Sequence, residues 1–326
     1  MRTGVLAFVA FSALSALSAP SLPVLSAESA ESAPALSAWS VESAPPSSAE
    51  SAPPLSVLSA AAAAAETEAW RARRQQELLS DTGWLTVAGL VFLRPGPNSV
   101  GSDRDSDVLL PAPAPKQAGR LVREGSRVTF EPDTTVPAQL NGAAIAAPIV
   151  LKGQDRLAYG TVTFQLHESG ERVGIRIRDV NSELRRTFKG LRWFPVRNAW
   201  TIEGRFVPYE SPRPITVANV LGDYEKLTLP GDVVFTVNGQ EVRLQAARAG
   251  NRLWFIFSDA GGGKDTYKIR FLYADAPSAD GRVTLDFNRA YNPPCAYNPF
   301  TTCPVPPPQN RLRIAIPAGE RIYRGH

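Results

Sequence analysis

The sequence predicts an all-β protein with one helix near the N-terminus. Between residues 84 and 287, apolar and polar side chains alternate in short runs, and Gly, Pro, Asn and Asp separate these runs. This pattern is typical of half-buried antiparallel strands. Asn238 and Gly239 lie between two alternating runs, which is the strongest short-range signal for a β-hairpin. Apolar residues at helical spacing occur earlier, in residues 67–80.

The first 27 residues have the order of a secretory signal peptide. Arg2 precedes the mostly apolar residues 5–17, and small residues follow from Ser18. Cleavage after Ser18 and cleavage after Ala27 both fit this pattern. A membrane-spanning helix needs about 20 apolar residues, so the apolar run is too short to be one. We therefore expect an exported protein, periplasmic or extracellular, with no transmembrane helix in the mature chain.

Residues 28–65 consist mainly of Ser, Ala, Pro and Glu, and the words SAES and ESAP recur around them. Such a segment buries too little apolar surface to offset its conformational entropy, so a disordered tether is predicted. Residues 1–65 hold one of the chain's 35 basic and four of its 31 acidic side chains. The remaining residues therefore carry 34 basic and 27 acidic side chains, a net charge of +7.

The positive charges of the folded part are scattered and form no run, which favours a solvated basic surface. An anionic ligand of the cell envelope is the alternative. A nucleic-acid partner is not expected.

One N-terminal helix is predicted within residues 66–83. Thr67 is a suitable N-cap and Gly83 is a suitable end of the helix. Trp70, Leu78 and Leu79 form its apolar stripe, which we expect to pack on the first β domain.

Residues 84–180 predict this first β domain. Short strands separated by turn residues are typical of an antiparallel sandwich or barrel, and we expect them at residues 87–93, 107–110, 119–124, 127–131, 149–151 and 161–168. The order and spacing of GPNSVGSDRDSDVLLP, AGRLVREGSRVTFEP, LNG and DRLAYGTVTFQL resemble the forkhead-associated β-sandwich.

The forkhead-associated resemblance implies a phosphothreonine site formed by an Arg and a Ser-x-x-His pair. In this chain Ser102, Pro115 and Ala118 occupy those three positions. The charge-assisted contacts that a phosphate requires are therefore lost, and no phosphopeptide binding is expected. The alternative, that GSDRDSD is only a turn capped by Asp side chains, leads to the same functional conclusion.

Residues 181–326 predict a second, C-terminal β domain. Its strands are expected at residues 200–207, 215–221, 226–229, 232–237, 240–247, 252–258, 267–273 and 281–287. The connections are short and hairpin-like, so a mostly antiparallel sheet curled into a barrel or sandwich is predicted.

The most unusual stretch is residues 286–311, DFNRAYNPPCAYNPFTTCPVPPPQNR, which contains both cysteines and many prolines. Proline removes a backbone donor and fixes φ, so this stretch cannot be a regular helix or strand. Because disulfides persist in exported proteins, we expect Cys295 and Cys303 to form a disulfide that pins the loop. Such a bridge would contribute about 2–3 kcal/mol.

The sequence offers few residues for metal or nucleophilic chemistry. His167 and His326 do not have zinc-ligand spacing with the two cysteines, so neither a metal nor a cofactor is expected. A serine triad is disfavoured because no GxSxG elbow occurs. The GGGK run at residues 261–264 departs from a phosphate loop, since Ser258 and Asp265 occupy motif positions, and a hairpin is predicted there instead.

Polar and aromatic residues around the proline-rich stretch are the candidates for a functional site. We expect a pocket beneath the pinned loop, with aromatic walls and a few hydrogen-bond donors. The candidate ligand-binding residues are Lys189, Arg192, Trp193, Asn288, Arg289, Asn292, Tyr297, Asn310 and Arg311. The structural alternative is that the asparagines cap loop backbone, which is their commoner role among prolines.

Five segments of the chain resemble a bacterial family built on the domain of unknown function 1684. They are FKGLRWFPV, GKDTY, LDFNRAYNPPCAY, TCPVPPPQNRL and the closing AGE; the earlier WRARRQQELL and GWLTVAGL also fit. The resemblance covers residues 68–320. It implies no particular reaction, cofactor or catalytic residue.

Three functions remain open from the sequence. The first is a non-catalytic binding protein of the cell envelope with a small or polymeric ligand. The second is a hydrolase or lyase in which Asp286 is the acid or base and Tyr291 is a proton donor or oxyanion partner. The third is a structural envelope protein. An Asp286 carboxylate that faces an open cleft would favour the enzyme.

Overall fold

The computed structural model describes residues 60–133 and 135–325. The predicted signal peptide at residues 1–27 and the predicted tether as far as residue 59 lie outside the described residues. None of the described helices has both the length and the apolar character needed to cross a membrane.

A helix of 20 residues, α1 (Ala60–Leu79), precedes the β-structure. It begins earlier than predicted and includes the end of the predicted tether, because alanine, which fills its first turns, has the highest helix propensity. Thr67 therefore lies inside the helix, where it is buried, and is not its N-cap. Gly83 lies just beyond the end of the helix, where a Cβ would be 2.3 Å from the carbonyl oxygen of Leu78.

Helix α1 packs both on the start of the first β region, as expected, and on the C-terminal segment. Leu78 is buried in a hydrophobic cluster with Leu85, Ala296 and Tyr297, and Trp84 packs against it. Arg74 donates from Nη2 to the carbonyl oxygen of Asn292 at 2.9 Å. The helix thus supplies both apolar contacts and a hydrogen-bond donor to this loop.

The first β region is a sandwich of two sheets. Its strands are β1 (Val87–Phe92), β2 (Gly96–Gly101), β3 (Val108–Leu109), β4 (Gly119–Glu124), β5 (Arg127–Pro132), β6 (Ala138–Leu140), β7 (Ala143–Ile145), β8 (Ile149–Val150), β9 (Leu157–Tyr159), β10 (Val162–Ser169) and β11 (Arg172–Asp179). One sheet has the order β1-β11-β10-β9-β6-β7, and the other has the order β3-β2-β4-β5-β8.

The two sheets of this region share one hydrophobic core. Leu121 and Phe130 of one sheet pack with Phe164 and Ile175 of the other, and the rings of Phe130 and Phe164 meet edge to face at 5.8 Å. Two sheets around one apolar layer define a β-sandwich. The all-β expectation is confirmed, whereas the finer likeness to the forkhead-associated domain stays a prediction.

The second β region is a nearly closed barrel. After the short helix α2 (Glu183–Arg186), its strands are β12 (Thr201–Ala218), β13 (Tyr224–Val237), β14 (Gln240–Ala249), β15 (Arg252–Phe257), β16 (Arg270–Asp275) and β17 (Arg282–Asp286). The order is β16-β15-β14-β13-β12-β17, all neighbours are antiparallel, and β16 also lies against β17. Val233, Leu244, Phe255 and Leu272 fill its interior.

The predicted hairpin at Asn238 and Gly239 is confirmed. These residues have φ values of 50° and 78° and connect β13 to β14. Strands β12 and β13 are longer than predicted, because each continues through two predicted strands. Their register shifts between Pro208 and Arg213, where a bulge accommodates the prolines within the sheet.

Buried polar side chains hold the chain after β17 in place. Arg270 has no solvent exposure and donates to Asp259 Oδ2 at 2.6 Å and to the Ile316 carbonyl oxygen at 3.0 Å. Its other terminal nitrogen donates to the carbonyl oxygen of Ala318. The ion pair neutralises the buried charge, and the remaining donors fix a tail that has no strand ladder of its own.

The structure corrects the expected disulfide, because Cys295 and Cys303 are free thiols. The main-chain N–H of Cys295 donates to the Cys303 sulfur at 3.2 Å. The loop is held by side-chain amides instead. Asn298 donates to the carbonyl oxygen of Val87 at 2.7 Å, and its own Oδ1 accepts from the Phe300 N–H at 2.7 Å.

We predict that Asn310→Ala lowers the free energy of unfolding by about 2–4 kcal/mol. Asn310 is buried, accepts from the Gln245 N–H at 2.8 Å and donates to the carbonyl oxygens of Gln245 and Ile256 at 2.9 and 3.0 Å. Urea unfolding followed by tryptophan fluorescence measures the change. Arg311→Ala, at the next and exposed position, is the control and should change stability by no more than about 0.5 kcal/mol. Equal losses in both variants would contradict the assigned role.

Candidate functional site

Asp286 ends β17 and caps the turn that follows it. Its Oδ1 accepts from the main-chain N–H of Asn288 at 3.1 Å and from the side-chain amide of Asn288 at 2.9 Å. Its Oδ2 lies 3.2 Å from Nε of Arg289. Asn288 is itself buried and accepts from the Arg197 N–H at 3.0 Å. These are the contacts of residues that order a loop.

Trp193 and Tyr291 lie against helix α1. The ring of Trp70 contacts both, with centroid distances of 5.8 and 6.1 Å. The guanidinium carbon of Arg74 lies 3.9 Å from the centroid of the Tyr291 ring, which is a cation–π contact. Burial raises the pKa of the Tyr291 phenol, so this group stays protonated at neutral pH. The two aromatic candidates therefore belong to the packed joint between the helix and the C-terminal segment.

Asn292 and Tyr297 surround Glu320, a buried carboxylate that sequence reasoning missed. Glu320 is 1% exposed and accepts from the Asn292 N–H at 3.0 Å and from the Asn292 amide at 2.9 Å. The hydroxyl of Tyr297 donates to the same carboxylate. Burial raises the pKa of Glu320, and Arg74, 3.7 Å away, opposes that shift. The arrangement is closed and gives a ligand no access to the carboxylate.

The remaining candidates lie elsewhere. Lys189, Arg192 and Arg311 are exposed, and Arg289 pairs with Glu66 at 2.7 Å. Asn310 is the buried cap described above. The predicted residues are thus divided among a turn, a helix joint, a core cap and the surface. None of them lines either of the two cavities described next.

A cleft of about 250 Å³ opens beside the edge strand β1, and we call it the edge cleft. Its walls come from β1, from β11, from the turn between β12 and β13, and from the proline-rich loop. The lining residues are Leu90, Phe92, Arg172, Leu221, Pro299 and Phe300. Four apolar side chains, a proline and one cation therefore face the same small space.

Both walls of the edge cleft are fixed by hydrogen bonds. Asn298, next to Pro299, donates to the carbonyl oxygen of Val87 on β1. The N–H of Val220, next to Leu221, donates to the carbonyl oxygen of Cys303 at 2.9 Å. The cleft is therefore shaped by a rigid frame and exists without a ligand.

Large apolar side chains are exposed around the edge cleft. Leu221 is 40% exposed and Phe300 is 36% exposed, although both line the cleft. Val220, beside Leu221, is 36% exposed, and Tyr224, at the start of β13, is 65% exposed. Clustered exposed apolar groups of this kind mark interaction surfaces.

Arg172 forms the polar part of the cleft. Its guanidinium carbon lies 3.7 Å from the centroid of the Phe92 ring, and its Nε donates to Asp223 Oδ1 at 2.8 Å. The hydrogen bond from Arg172 is the main reason that the pKa of Asp223 is lowered. Gly174 lies opposite Phe92 in the register, and a Cβ there would be 2.7 Å from the Val91 carbonyl oxygen. The absence of a side chain lets the Phe92 ring lie across β11.

A buried charged cluster occupies the same sheet face as Leu90 and Phe92. Arg176 pairs with Leu90 in the register and lies 3.1 Å, Nη2 to Nε2, from His167. Burial lowers the pKa of His167 to about 3, helped by the charge of Arg176, so this imidazole is neutral. Burial lowers the pKa of Arg176 to about 10 and raises the pKa of Glu225 to about 7. The layer behind the cleft therefore responds to pH.

A second cavity of about 410 Å³ lies over β12, β13 and β17. Its lining includes Glu203, Asp280 and Arg282, and Arg282 pairs with both acids at 3.7 and 2.6 Å. Arg205 lines the same cavity, so its charged side chains are two acids and two arginines. Within residues 60–133 and 135–325, no three His, Cys, Asp or Glu side chains are grouped so that they could hold a metal ion.

Sequence reasoning missed the edge cleft because its residues look like ordinary core residues. Leu90 and Phe92 belong to an apolar strand, and their partial exposure depends on which elements cover β1. The one available signal was RVGIRIRD in β11, where Arg172, Arg176 and Arg178 fall on one face of a strand. Three arginines on one strand face indicate a partly buried polar layer.

The fold is that of an all-β protein in which a sandwich is followed by a barrel, with a small cleft at the edge of the first sheet. The family described as a protein of unknown function, DUF1684, matches residues 186–321. The solution NMR structure of an uncharacterized protein of Haloarcula marismortui is 30% identical, with 42% of this chain and 78% of that chain covered and a TM-score of 0.36. A search of curated proteins found no match. The family match at residues 186–321 confirms the resemblance to this family of unknown function that the sequence segments predicted.

We predict that Glu225→Gln stabilises the protein at about pH 8 by on the order of 2 kcal/mol and has little effect near pH 4.5. The folded pKa of Glu225 lies above its ordinary value of 4.5, at about 7, chiefly because of burial. Stability from this group is therefore full at low pH and is lost as pH rises through about 7. Urea unfolding at both pH values measures the difference. Glu168→Gln, at an exposed position of β10, is the control; a difference for Glu225→Gln that did not change with pH would contradict the assignment.

Proposed function

We propose that the protein is an exported binding protein that holds an apolar group of its ligand in the edge cleft. The observation that carries the proposal is the exposure of Leu221 and Phe300 on two sides of a fixed cleft. Covering two such side chains would contribute about 2–4 kcal/mol to binding. Without an occupant, this apolar area remains in water.

The size and the side chains of the edge cleft limit which ligand groups it can accept. A volume of about 250 Å³ admits one ring or one branched chain and not a whole large ligand. Arg172 stacks on Phe92, so it can receive a polar or anionic group beside the apolar one. Its pairing with Asp223 keeps the guanidinium in place and reduces its charge towards the ligand.

Binding accounts for the geometry better than hydrolase or lyase activity does. Asp286 caps a turn and Tyr291 stacks under helix α1, and neither lines either of the two cavities described above. The edge cleft brings together apolar groups and one arginine, and none of its lining residues is an acid, base or nucleophile. An apolar cleft with few polar groups is the usual form of a binding site.

Export is the second part of this proposal, and it rests on the signal-like order of residues 1–27. We predict that expression in a Gram-negative host yields a mature protein that begins at Ala19 or Glu28 in the periplasmic fraction. N-terminal sequencing and intact mass identify the first residue. A soluble cytoplasmic product that keeps Met1 and Arg2 would contradict export.

We predict that Leu221→Asp and Phe300→Asp each weaken binding of 1-anilinonaphthalene-8-sulfonate about tenfold. This probe combines aromatic rings for the apolar walls with one anionic group that can approach Arg172. Fluorescence titration gives its affinity, and urea unfolding shows whether each variant is folded. Leu109→Asp is the matched control, because Leu109 is 49% exposed on β3 and does not line the cleft. Absence of saturable binding to the wild type, or equal loss in all three variants, would contradict the proposal.

A further inference from the structure

The main chain of β1 has unused hydrogen-bonding groups beside the edge cleft. β1 is the last strand of its sheet, with β11 on one side. The N–H of Leu93 donates to the carbonyl oxygen of Val173 on the β11 side at 2.9 Å. Along an antiparallel strand, successive residues direct their N–H and C=O groups alternately towards one side and the other. The groups of Leu90 and Phe92 therefore point away from β11, towards the open edge.

Side chains close this edge at both ends but not in the middle. At one end Asn298 donates to the carbonyl oxygen of Val87 at 2.7 Å. At the other end the N–H of Arg94 donates to Oδ1 of Asn98 at 2.9 Å. Within the described part of the chain, no hydrogen bond reaches the main chain of Leu90 or Phe92 from the open side. The main-chain N–H and C=O groups of Leu90 and Phe92, two donors and two acceptors, thus form a short segment without hydrogen-bond partners among the described residues, which we call the open segment.

The open segment coincides with the apolar cleft. Leu90 and Phe92 lie two positions apart on a strand, so their side chains share a face. Both side chains line the edge cleft, with Leu221 and Phe300 as its other apolar walls. A strand that pairs with Leu90 and Phe92 would place its own side chains beside these two, at the cleft.

We propose that the occupant of the edge cleft is an extended peptide segment that adds to the sheet as a strand beside β1. This inference rests on the proposed binding function and names its partner. Four main-chain groups with strand spacing are complementary to the backbone of another strand. The ligand residues opposite Leu90 and Phe92 then point into the cleft, so the peptide should carry apolar side chains at positions i and i+2.

The geometry favours a peptide over a second copy of this chain. Only Leu90 and Phe92 are open on β1, which is enough for a short peptide strand, whereas stable pairing between two copies of this chain would need a longer open edge. The ion pairs of Arg172 with Asp223 and of Arg94 with Asp107 neutralise the nearby arginines. Affinity should therefore come from backbone hydrogen bonds and apolar contacts.

The test is a selection of random twelve-residue peptides displayed on phage, with the full chain as the target. Selected sequences should share two apolar residues at i and i+2. N-methylation of the selected peptide, one residue at a time, should weaken binding about tenfold at alternate residues and have little effect at the residues between. A peptide bound as a strand has this two-residue periodicity, whereas a peptide held only by its side chains does not.

A pair of protein variants tests the same contact from the other side. Leu90→Pro removes the N–H that points to the open edge and keeps every hydrogen bond between β1 and β11. Leu90→Ala removes the same side chain but keeps the N–H. Leu90→Pro should therefore bind the selected peptide about tenfold more weakly than Leu90→Ala. If Leu90→Pro does not fold, the N-methyl scan on the wild type decides alone.

The other outcomes separate the two proposals. Binding of the naphthalene sulfonate in the edge cleft, without any peptide that shows the two-residue periodicity, overturns strand addition and leaves the binding function intact. A concentration-dependent dimer that Leu90→Pro disrupts in sedimentation would make the occupant a second copy, which also overturns it. Failure of both the probe and the peptides overturns the binding function itself.

Discussion

The structure depends on the burial of Glu320. This carboxylate accepts hydrogen bonds from Asn292 and Tyr297 and lies beside Arg74, so it connects the C-terminal tail, the proline-rich loop and helix α1. A buried charge is stable only when its partners are complete, and removing one partner from such a group typically costs about 3–5 kcal/mol. A segment with too many prolines for a strand or helix is thereby held as firmly as a strand.

The same constraint places the edge cleft. Once Asn292 and Tyr297 are fixed, the following residues extend towards the first sheet, where Asn298 donates to the carbonyl oxygen of Val87. Phe300 is then held beside β1 because its N–H donates to the side chain of Asn298. The proline-rich loop thus acts as the wall of the cleft, and its polar residues act as the frame. The proposed binding surface consists of the residues that this frame holds in solvent.

The sequence predicted the fold well because its signals are local. Alternation identified most strands, Asn238–Gly239 identified a hairpin, and segments such as FKGLRWFPV identified the family. The contacts of the site residues join parts of the chain that are far apart in sequence, so the sequence alone did not reveal them. The sequence around Asn292 does not show whether this side chain binds a ligand or a buried carboxylate. Its partner, Glu320, is 28 residues away. Leu90 has the sequence pattern of a core residue, and only the position of β1 at the edge of its sheet shows that it lies beside an open edge.

An exposed sheet edge is a liability, because unpaired N–H and C=O groups recruit other strands and cause aggregation. This chain closes the edge of β1 at Val87 and at Arg94 with asparagine side chains, yet it leaves Leu90 and Phe92 open. If these contacts served only to prevent edge-to-edge aggregation, we would expect them to cover Leu90 and Phe92 as well. Leu221 and Phe300 line the cleft next to this opening and are partly exposed. In the proposed binding mode, a strand that adds to β1 therefore meets these two apolar side chains as well as the open main-chain groups.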